Sequence, residues 1–111
     1  MSLDLLKGTL DVLILKALSW GPGHGYGISK AIRAATDGAF DVEEGALYPA
    51  LRRLEGRGQL VATWGKTETG RRARFYRLSP QGEATLAREV ETWGRYVDAM
   101  SRVLYAKGPL E

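Results

Sequence analysis

A basic helix followed closely by a basic hairpin, within residues 43–78, constrains the fold of this chain more than any other feature. In residues 45–57, leucine and alanine recur at helical spacing on one face while arginines lie on the other, which predicts an amphipathic helix. Residues 70–78, Gly-Arg-Arg-Ala-Arg-Phe-Tyr-Arg-Leu, predict a basic turn that leads into an aromatic strand. A helix and a hairpin in this order are typical of the winged helix-turn-helix, which contacts phosphates and base edges of duplex DNA.

Positive charge is concentrated in one part of the chain. The 111 residues carry a net charge of +3, an excess too small to indicate a nucleic-acid partner by itself. Between Arg52 and Arg77, however, eight Lys and Arg residues stand against two Glu, which gives +6 there and −3 for the remainder. This polarity predicts one basic face, although exposed arginines also serve simply to solvate helices and strands.

The composition excludes several classes of function. Without cysteine the chain forms no disulfide, zinc finger or catalytic thiolate, and its one histidine, His24, is expected to be structural. We find no phosphate-binding glycine loop and no nucleophile–base pair, so we predict no enzymatic activity, no metal and no cofactor. The apolar run at residues 10–18 is too short to span a bilayer and no signal-peptide pattern precedes it, so we expect a cytoplasmic protein.

Periodicity and turn residues predict the order helix, helix, helix, strand, strand, long helix. The predicted elements are a first helix over the stripe 10–18, ended by the turn at 20–23, a second helix at about 25–35, a short extended piece at 40–42, a third helix at about 45–57, strands at 60–64 and 73–78, and a helix from the Ser79 cap to about 105. Gly58 is expected to cap the third helix in the left-handed conformation. Proline is tolerated only in a first turn, so Pro49 predicts either a start near 46–48 or a distorted first turn.

The predicted fold class is therefore mainly α, in an α+β arrangement. It is a winged helix-turn-helix with a two-stranded β wing and a long C-terminal dimerisation helix. We predict a DNA-binding domain at residues 1–79 and the dimerisation helix at residues 80–107.

Candidate DNA-binding residues come from the third helix and the wing. They are Tyr48, Arg52 and Arg53 on the helix and Lys66, Arg71, Arg72 and Arg74 on the wing. Phe75 and Tyr76 point to opposite faces of their strand, so one of them is expected in the core. Glu43 and Glu44 leave two interpretations open: they lie close to DNA and accept from cytosine, or they stabilise the helix N-terminus through its macrodipole.

A heptad stripe on the last helix predicts a homodimer. Apolar residues spaced four and three apart form a seam of the coiled-coil type: Leu86, Val90, Trp93, Val97, Met100 and Leu104. Tyr96, Ala99 and Val103 widen this stripe. A lone helix in so small a domain has no use for such a seam, and a two-fold partner covers it economically.

The chain resembles the PadR-like transcriptional regulators of bacteria over about residues 5–104. The resemblance rests on four motifs in order: Leu6–Asp11, Gly23–Ile28, Gly45–Glu55 and Gly70–Ser79. It implies a winged-helix domain, a dimer built on the C-terminal helix and repression of a neighbouring operon. The chain departs from the commonest pattern by carrying Glu43, Glu44 and Ala46 where serine or threonine often begins the recognition helix, and its single C-terminal helix matches the family's short branch.

The resemblance also implies an effector site on the last helix. In one drug-responsive branch, a tryptophan in the place of Trp93 lies in the dimer interface and stacks on flat aromatic compounds. Val97 and Met100 would line such a site here. The alternative is that Trp93 only fills the interface.

Two functions remain as hypotheses after this reasoning. The first is a dimeric, sequence-specific DNA-binding regulator, a repressor relieved by a small molecule or another signal, on a pseudo-palindromic operator. The second is a winged-helix protein–protein interaction module with little DNA specificity, which Glu43 and Glu44 favour.

Overall fold

Seven helices and strands follow one another in this computed structural model, which describes residues 3–6 and 8–109. They are α1 (Thr9–Ser19), β1 (Gly23–His24), α2 (Gly25–Ala35), α3 (Glu44–Gly56), β2 (Leu60–Lys66), β3 (Arg72–Leu78) and α4 (Pro80–Leu104). The strands form one antiparallel sheet in the order β1–β3–β2. The predicted α+β winged helix-turn-helix is therefore confirmed.

The core lies where the first three helices meet the sheet. Apolar residues at helical spacing share one side of a helix, and this side of α1, α2 and α3 faces inward. The buried apolar residues are Ile14, Leu15, Ala17, Leu18, Ile28, Ile32, Val42, Leu47, Ala50, Leu51, Leu54, Leu60 and Tyr76. Because the inner stripe of α3 is held in this core, its basic face is turned to the surface.

The sheet has one strand more than the sequence predicted. Gly23 and His24, interpreted as the end of a turn and the start of α2, pair with Tyr76 and Phe75 of β3. The extended piece predicted at residues 40–42 joins no strand, although its Val42 is buried in the core. His24 is structural as expected: its Nδ1 accepts a hydrogen bond from the Gly27 N–H at 3.3 Å and so caps α2.

The recognition helix, α3, begins earlier than Pro49 suggested. It covers Glu44–Gly56, within one residue of the predicted span 45–57, and Pro49 lies in its second turn; of the two alternatives for Pro49, the start near 46–48 is wrong. Proline leaves the Gly45 carbonyl without its helical donor, but Gly45 is exposed, so that carbonyl is open to solvent. In the first turn the Glu43 carbonyl accepts from the N–H groups of both Ala46 and Leu47, at 3.1 and 3.0 Å.

The C-terminal end of α3 follows the sequence prediction. Gly58 has a φ of +76°, which any side chain would strain. Its N–H bonds the Glu55 carbonyl, and the Gln59 N–H bonds the Leu54 carbonyl, both at 3.0 Å. This pair of bonds is a Schellman motif, and it directs the chain from α3 straight into the wing.

Up to Met100, helix α4 is covered by other described residues only near its beginning. The predicted cap is confirmed, since the Ser79 hydroxyl accepts from the Gly82 N–H at 3.0 Å and Pro80 opens the helix. Leu86 is half-buried against the core, whereas the side chains from Ala87 to Met100 are all exposed. Among the described residues, no helix is both long and apolar enough to cross a membrane.

Candidate nucleic-acid interface

The outer face of α3 presents Tyr48, Arg52 and Arg53 to solvent. Tyr48 is only 38% exposed, because its ring lies against the backbone of Gly25 at the start of α2. A Cβ atom on Gly25 would come within 2.8 Å of the Tyr48 hydroxyl oxygen. Tyr48 therefore helps to pack α3 on α2, and the rest of its side chain is open to solvent.

The wing is a regular hairpin with an ordered tip. Its strands stay in register from Leu60 opposite Leu78 to Lys66 opposite Arg72. At the tip, the Thr67 N–H donates to the Arg71 carbonyl at 2.8 Å and Gly70 adopts a φ of +82°. The Thr67–Arg71 bond closes a three-residue loop, residues 68–70, and Arg71 and Arg72 follow it at the end of the hairpin.

One face of the wing is directed toward α3. Successive side chains in a strand alternate between faces, so Lys66, Arg72 and Arg74 share the face of the buried Tyr76. The Arg74 Nη2 donates to the Glu55 Oε2 at 2.7 Å and so ties this face to α3. Recognition helix and wing consequently form one continuous surface. Phe75 lies on the opposite face, with its ring edge-on to His24 at 5.2 Å between centroids.

Acidic residues pair with two of the predicted DNA-binding arginines, Arg53 and Arg74, and with a third arginine, Arg57, that was not predicted as a contact. The Arg53 Nη2 donates to the Asp11 Oδ1 of α1 at 2.6 Å, and the Arg57 Nη1 lies 3.5 Å from the other carboxylate oxygen. The hydrogen bond to Asp11 and its negative charge raise the pKa of Arg53. Arg74 is likewise paired with Glu55. These three arginines are thus partly neutralised in the free protein.

Four predicted cations form no salt bridge within the part of the chain that the structure describes. They are Arg52, Lys66, Arg71 and Arg72. All four are exposed. The guanidinium carbon of Arg72 lies over the ring of Trp64, 4.4 Å from its centroid. Free cations of this kind are the groups that replace counterions on nucleic-acid phosphates.

Sequence reasoning missed three residues of this surface: Asp11, Glu55 and Trp64. Strand alternation contained a signal for Trp64, because it lies two residues before Lys66 and so on the same face. For the two acids there was no comparable signal, since Asp11 lies 42 residues before Arg53 and Glu55 lies 19 residues before Arg74.

Glu43 and Glu44 occupy the start of α3. Glu43 is the N-cap residue, without a capping bond from its side chain, and Glu44 lies in the first turn. Both are exposed. At this position a carboxylate interacts favourably with the positive end of the helix dipole, which accounts for the pair without a contact to a base.

The predicted seam on α4 is an exposed apolar stripe in the single chain. Trp93 and Met100 are 45% and 43% exposed, and Val90, Val97 and Leu104 are exposed as well. The Trp93 and Tyr96 rings stack, 5.8 Å apart and 18° from parallel. Leu86 differs from the other seam residues, because it packs against the core of its own chain.

Three helices, a three-stranded sheet and a basic surface shared by α3 and the wing define a winged helix-turn-helix protein. The sequence profile of the transcriptional regulator PadR-like family matches residues 14–88, more than half of the chain. The chain belongs to this family of DNA-binding transcriptional regulators, which are not enzymes.

Solved structures agree with this assignment. A transcriptional regulator from Clostridium thermocellum is 34% identical, with a TM-score of 0.79 over 86% of this chain and 93% of that one. A Streptococcus mutans protein superposes with a TM-score of 0.84 over the full length of both chains, at 26% identity. A PadR-like transcriptional regulator from Bacillus cereus gives 0.79 at 25% identity, over 92% and 97% of the two chains.

Proposed function

We propose that this protein is a homodimeric, sequence-specific repressor that a signal releases from its operator. The observation that carries the proposal is the surface shared by α3 and the wing. On it, within residues 3–6 and 8–109, Arg52, Lys66, Arg71 and Arg72 have no acidic partner. Cations free of carboxylates release phosphate counterions at no cost in broken ion pairs, so these four supply most of the affinity.

The remaining predicted contacts have narrower roles. Tyr48 offers a fixed ring edge to the duplex, since Gly25 holds the rest of the ring. Arg53 and Arg74 exchange a carboxylate for a phosphate when DNA binds, so each adds less affinity than a free arginine. Base preference rests on the outer face of α3, whose residues near its N-terminus reach base edges in proteins of this class.

A second copy of this chain is the proposed occupant of the apolar stripe on α4. The stripe repeats at heptad spacing, which two copies related by a two-fold axis cover with the same residues on both sides. Residues 80–107 thereby act as the dimerisation helix and residues 1–79 as the DNA-binding domain. A symmetric dimer requires a pseudo-palindromic operator with half-sites about 34 Å apart, or a multiple of that distance.

A gel-shift titration with the region upstream of the protein's own gene tests DNA binding. At ~0.15 M salt we expect binding at least roughly 10³-fold tighter than to random DNA of the same length. Replacing Arg71 and Arg72 together by alanine should weaken binding and reduce the salt slope by about two units. The control is the double alanine variant of Arg88 and Arg95, two exposed arginines on α4. Equal affinity for operator and random DNA contradicts the proposal.

The proposed signal is a flat aromatic compound that stacks on Trp93. The exposed stack of Trp93 and Tyr96 supports this site, with Val97 and Met100 adjoining. The naphthalene dye ANS is a suitable probe, because its fluorescence rises on an apolar surface. Trp93→Leu keeps that surface apolar but removes the ring, so the dye should still fluoresce on it but should no longer release the protein from DNA. Release by the dye that is unchanged in Trp93→Leu means that Trp93 only fills the interface.

Exposed Glu43 and Glu44 favour a second candidate, a winged-helix module that binds another protein. Substituting alanine for Arg71, Arg72 and Arg74 separates the two functions. A module keeps its partner after this change, whereas a DNA-binding regulator loses its operator.

A further inference from the structure

An exposed tryptophan stands in the wing, outside the set of cations described above. Trp64 is 62% exposed in the middle of β2, although a tryptophan normally buries most of its large surface. It belongs neither to the core nor to the apolar stripe on α4. Packing within the chain therefore does not explain why a tryptophan stands at this position.

The sheet register puts Trp64 on the DNA-facing side of the wing. It stands opposite Arg74, between the pair of Ala62 with Tyr76 and the pair of Lys66 with Arg72. Tyr76 on this face is buried in the core, and Arg74 bonds α3 through Glu55. Trp64 thus lies on the face turned toward the recognition helix, between the core and the basic tip.

Arg72 is the direct neighbour of the indole ring. It is the diagonal cross-strand neighbour of Trp64, and its guanidinium carbon lies 4.4 Å from the ring centroid. A guanidinium group in this position is attracted to the π face and keeps its N–H groups directed outward along its edges. Within the described residues no carboxylate pairs with Arg72, in contrast to Arg53 and Arg74. The aromatic ring takes the place of an acid without neutralising the charge.

We propose that Trp64 is a positioning residue for DNA binding, which holds Arg72 extended so that its N–H fork meets a backbone phosphate. The inference rests on the proposed DNA-binding function of the wing. A free arginine on a hairpin tip loses rotamer freedom when it binds a phosphate, whereas one already held on an aromatic face loses less. Trp64 accordingly raises affinity for every sequence alike and does not select bases.

The test compares Trp64→Leu, which keeps an apolar side chain but lacks the π face, with Trp64→Phe, which retains an aromatic ring. We expect Trp64→Leu to weaken operator binding by about two- to fivefold, with Trp64→Phe closer to the wild type. The salt slope should stay unchanged in both, since neither removes a charge, whereas Arg72→Ala should lower it by about one unit. Thermal unfolding followed by circular dichroism sets a temperature at which all variants are folded.

A double-mutant cycle identifies the mechanism. If Trp64 acts through Arg72, adding Trp64→Leu to Arg72→Ala causes no further loss of affinity. An equal loss in both backgrounds, or wild-type affinity in Trp64→Leu, overturns the inference. Failure of the proposed function looks different, because then Arg71→Ala and Arg72→Ala also leave DNA binding unchanged.

Discussion

The carboxylate of Asp11 pairs with two arginines, one in the recognition helix and one that caps its C-terminal end. Its oxygens lie 2.6 Å from the Arg53 Nη2 and 3.5 Å from the Arg57 Nη1. Both arginines must leave this carboxylate, or share it, in order to meet a phosphate. If the protein binds an operator as proposed, Asp11 weakens the contribution of these two arginines to non-specific binding and so widens the difference in affinity between operator and random DNA.

Asp11→Asn should tighten binding to random DNA, on the order of threefold, because it removes a negative charge close to the phosphates. Affinity for the operator should rise by no more than that, so the ratio between the two stays level or falls. A gel-shift titration with operator DNA and with random DNA measures the two affinities. Asp98→Asn is the matched control, since it removes the same charge from an exposed pair with Arg102 on α4. Weaker binding in Asp11→Asn would show instead that the ion pair positions Arg53 productively.

Ionisation of Tyr76 makes the stability of the folded protein depend on pH in the alkaline range. Burial, as the main cause, raises the pKa of Tyr76 above its ordinary value of about 10.0. Above pH 10 the unfolded chain therefore loses this proton while the folded protein keeps it. The stabilisation is complete below pH 10 and is lost as pH rises from there through the higher pKa of the folded state.

Tyr76→Phe should consequently flatten the fall in stability between pH 10 and 11. Urea unfolding at pH 8, 10 and 11 gives the free energy of unfolding for both proteins. The two differ by a constant offset at pH 8 and below, which serves as the reference. Parallel curves up to pH 11 would mean that burial of this hydroxyl does not disfavour its ionisation.

At the scale of the elements, Ser79 joins the end of α3 to the start of α4. Its hydroxyl donates to the Gly58 carbonyl at 2.6 Å and accepts from the Gly82 N–H at 3.0 Å. Its own N–H donates to the Gln59 carbonyl at 3.1 Å. The last of these carbonyls faces Gly82 so closely that no Cβ atom fits there. The turn after the recognition helix and the start of the long helix are thus connected through the hydroxyl and the N–H of Ser79.

Gly82→Ala should lower the free energy of unfolding by about 1–3 kcal/mol, because its methyl group meets backbone that cannot rotate away. Gly56→Ala is the control, since Gly56 has open space around it and alanine is the better helix former. That variant should equal the wild type or exceed it by up to about 1 kcal/mol. Chemical denaturation at pH 7 measures both. Equal stability of the two variants would contradict close packing between Gly82 and the Gln59 carbonyl.

Most helix and strand boundaries could be predicted because their signals are local. Ser79 and Pro80 start α4, and Gly58 ends α3, through bonds to residues within five positions. β1 was missed because two residues form no periodic pattern and their partners lie about fifty positions further along the chain. The cations of the site were visible for the same local reasons. Their pairing with Asp11 or Glu55 depends on how the helices and the wing pack.

At the scale of the whole molecule, α4 gives the chain its elongated shape, with extents of 61 × 33 × 21 Å. Its outer part holds half of the exposed large apolar residues in the part of the chain that the structure describes. A patch of this kind on a solitary helix marks an interaction surface. The stability of the outer part of α4 should therefore depend on the concentration of a partner chain.

Val97→Arg places a charge in the middle of the stripe and should give a monomer by light scattering at micromolar concentration. Affinity for an operator with both half-sites should fall on the order of 10²-fold, because the second half-site no longer binds intramolecularly. Glu91→Gln is the control: it changes the net charge by the same amount on another side of α4. A dimeric Val97→Arg protein would place the interface elsewhere.

Ser79 anchors the start of α4 to the DNA-binding domain, so a tilt of α4 about this point would make the helix act as a lever arm. The 25 residues of α4 span about 37 Å. A tilt of about 10° at the fulcrum moves the far end by about 6 Å, close to the rise of two base pairs. If two such arms pair along their length, a small change in the angle between them produces a larger displacement at the duplex. Operators whose half-site spacing differs by one or two base pairs would then report the angle of the arms directly.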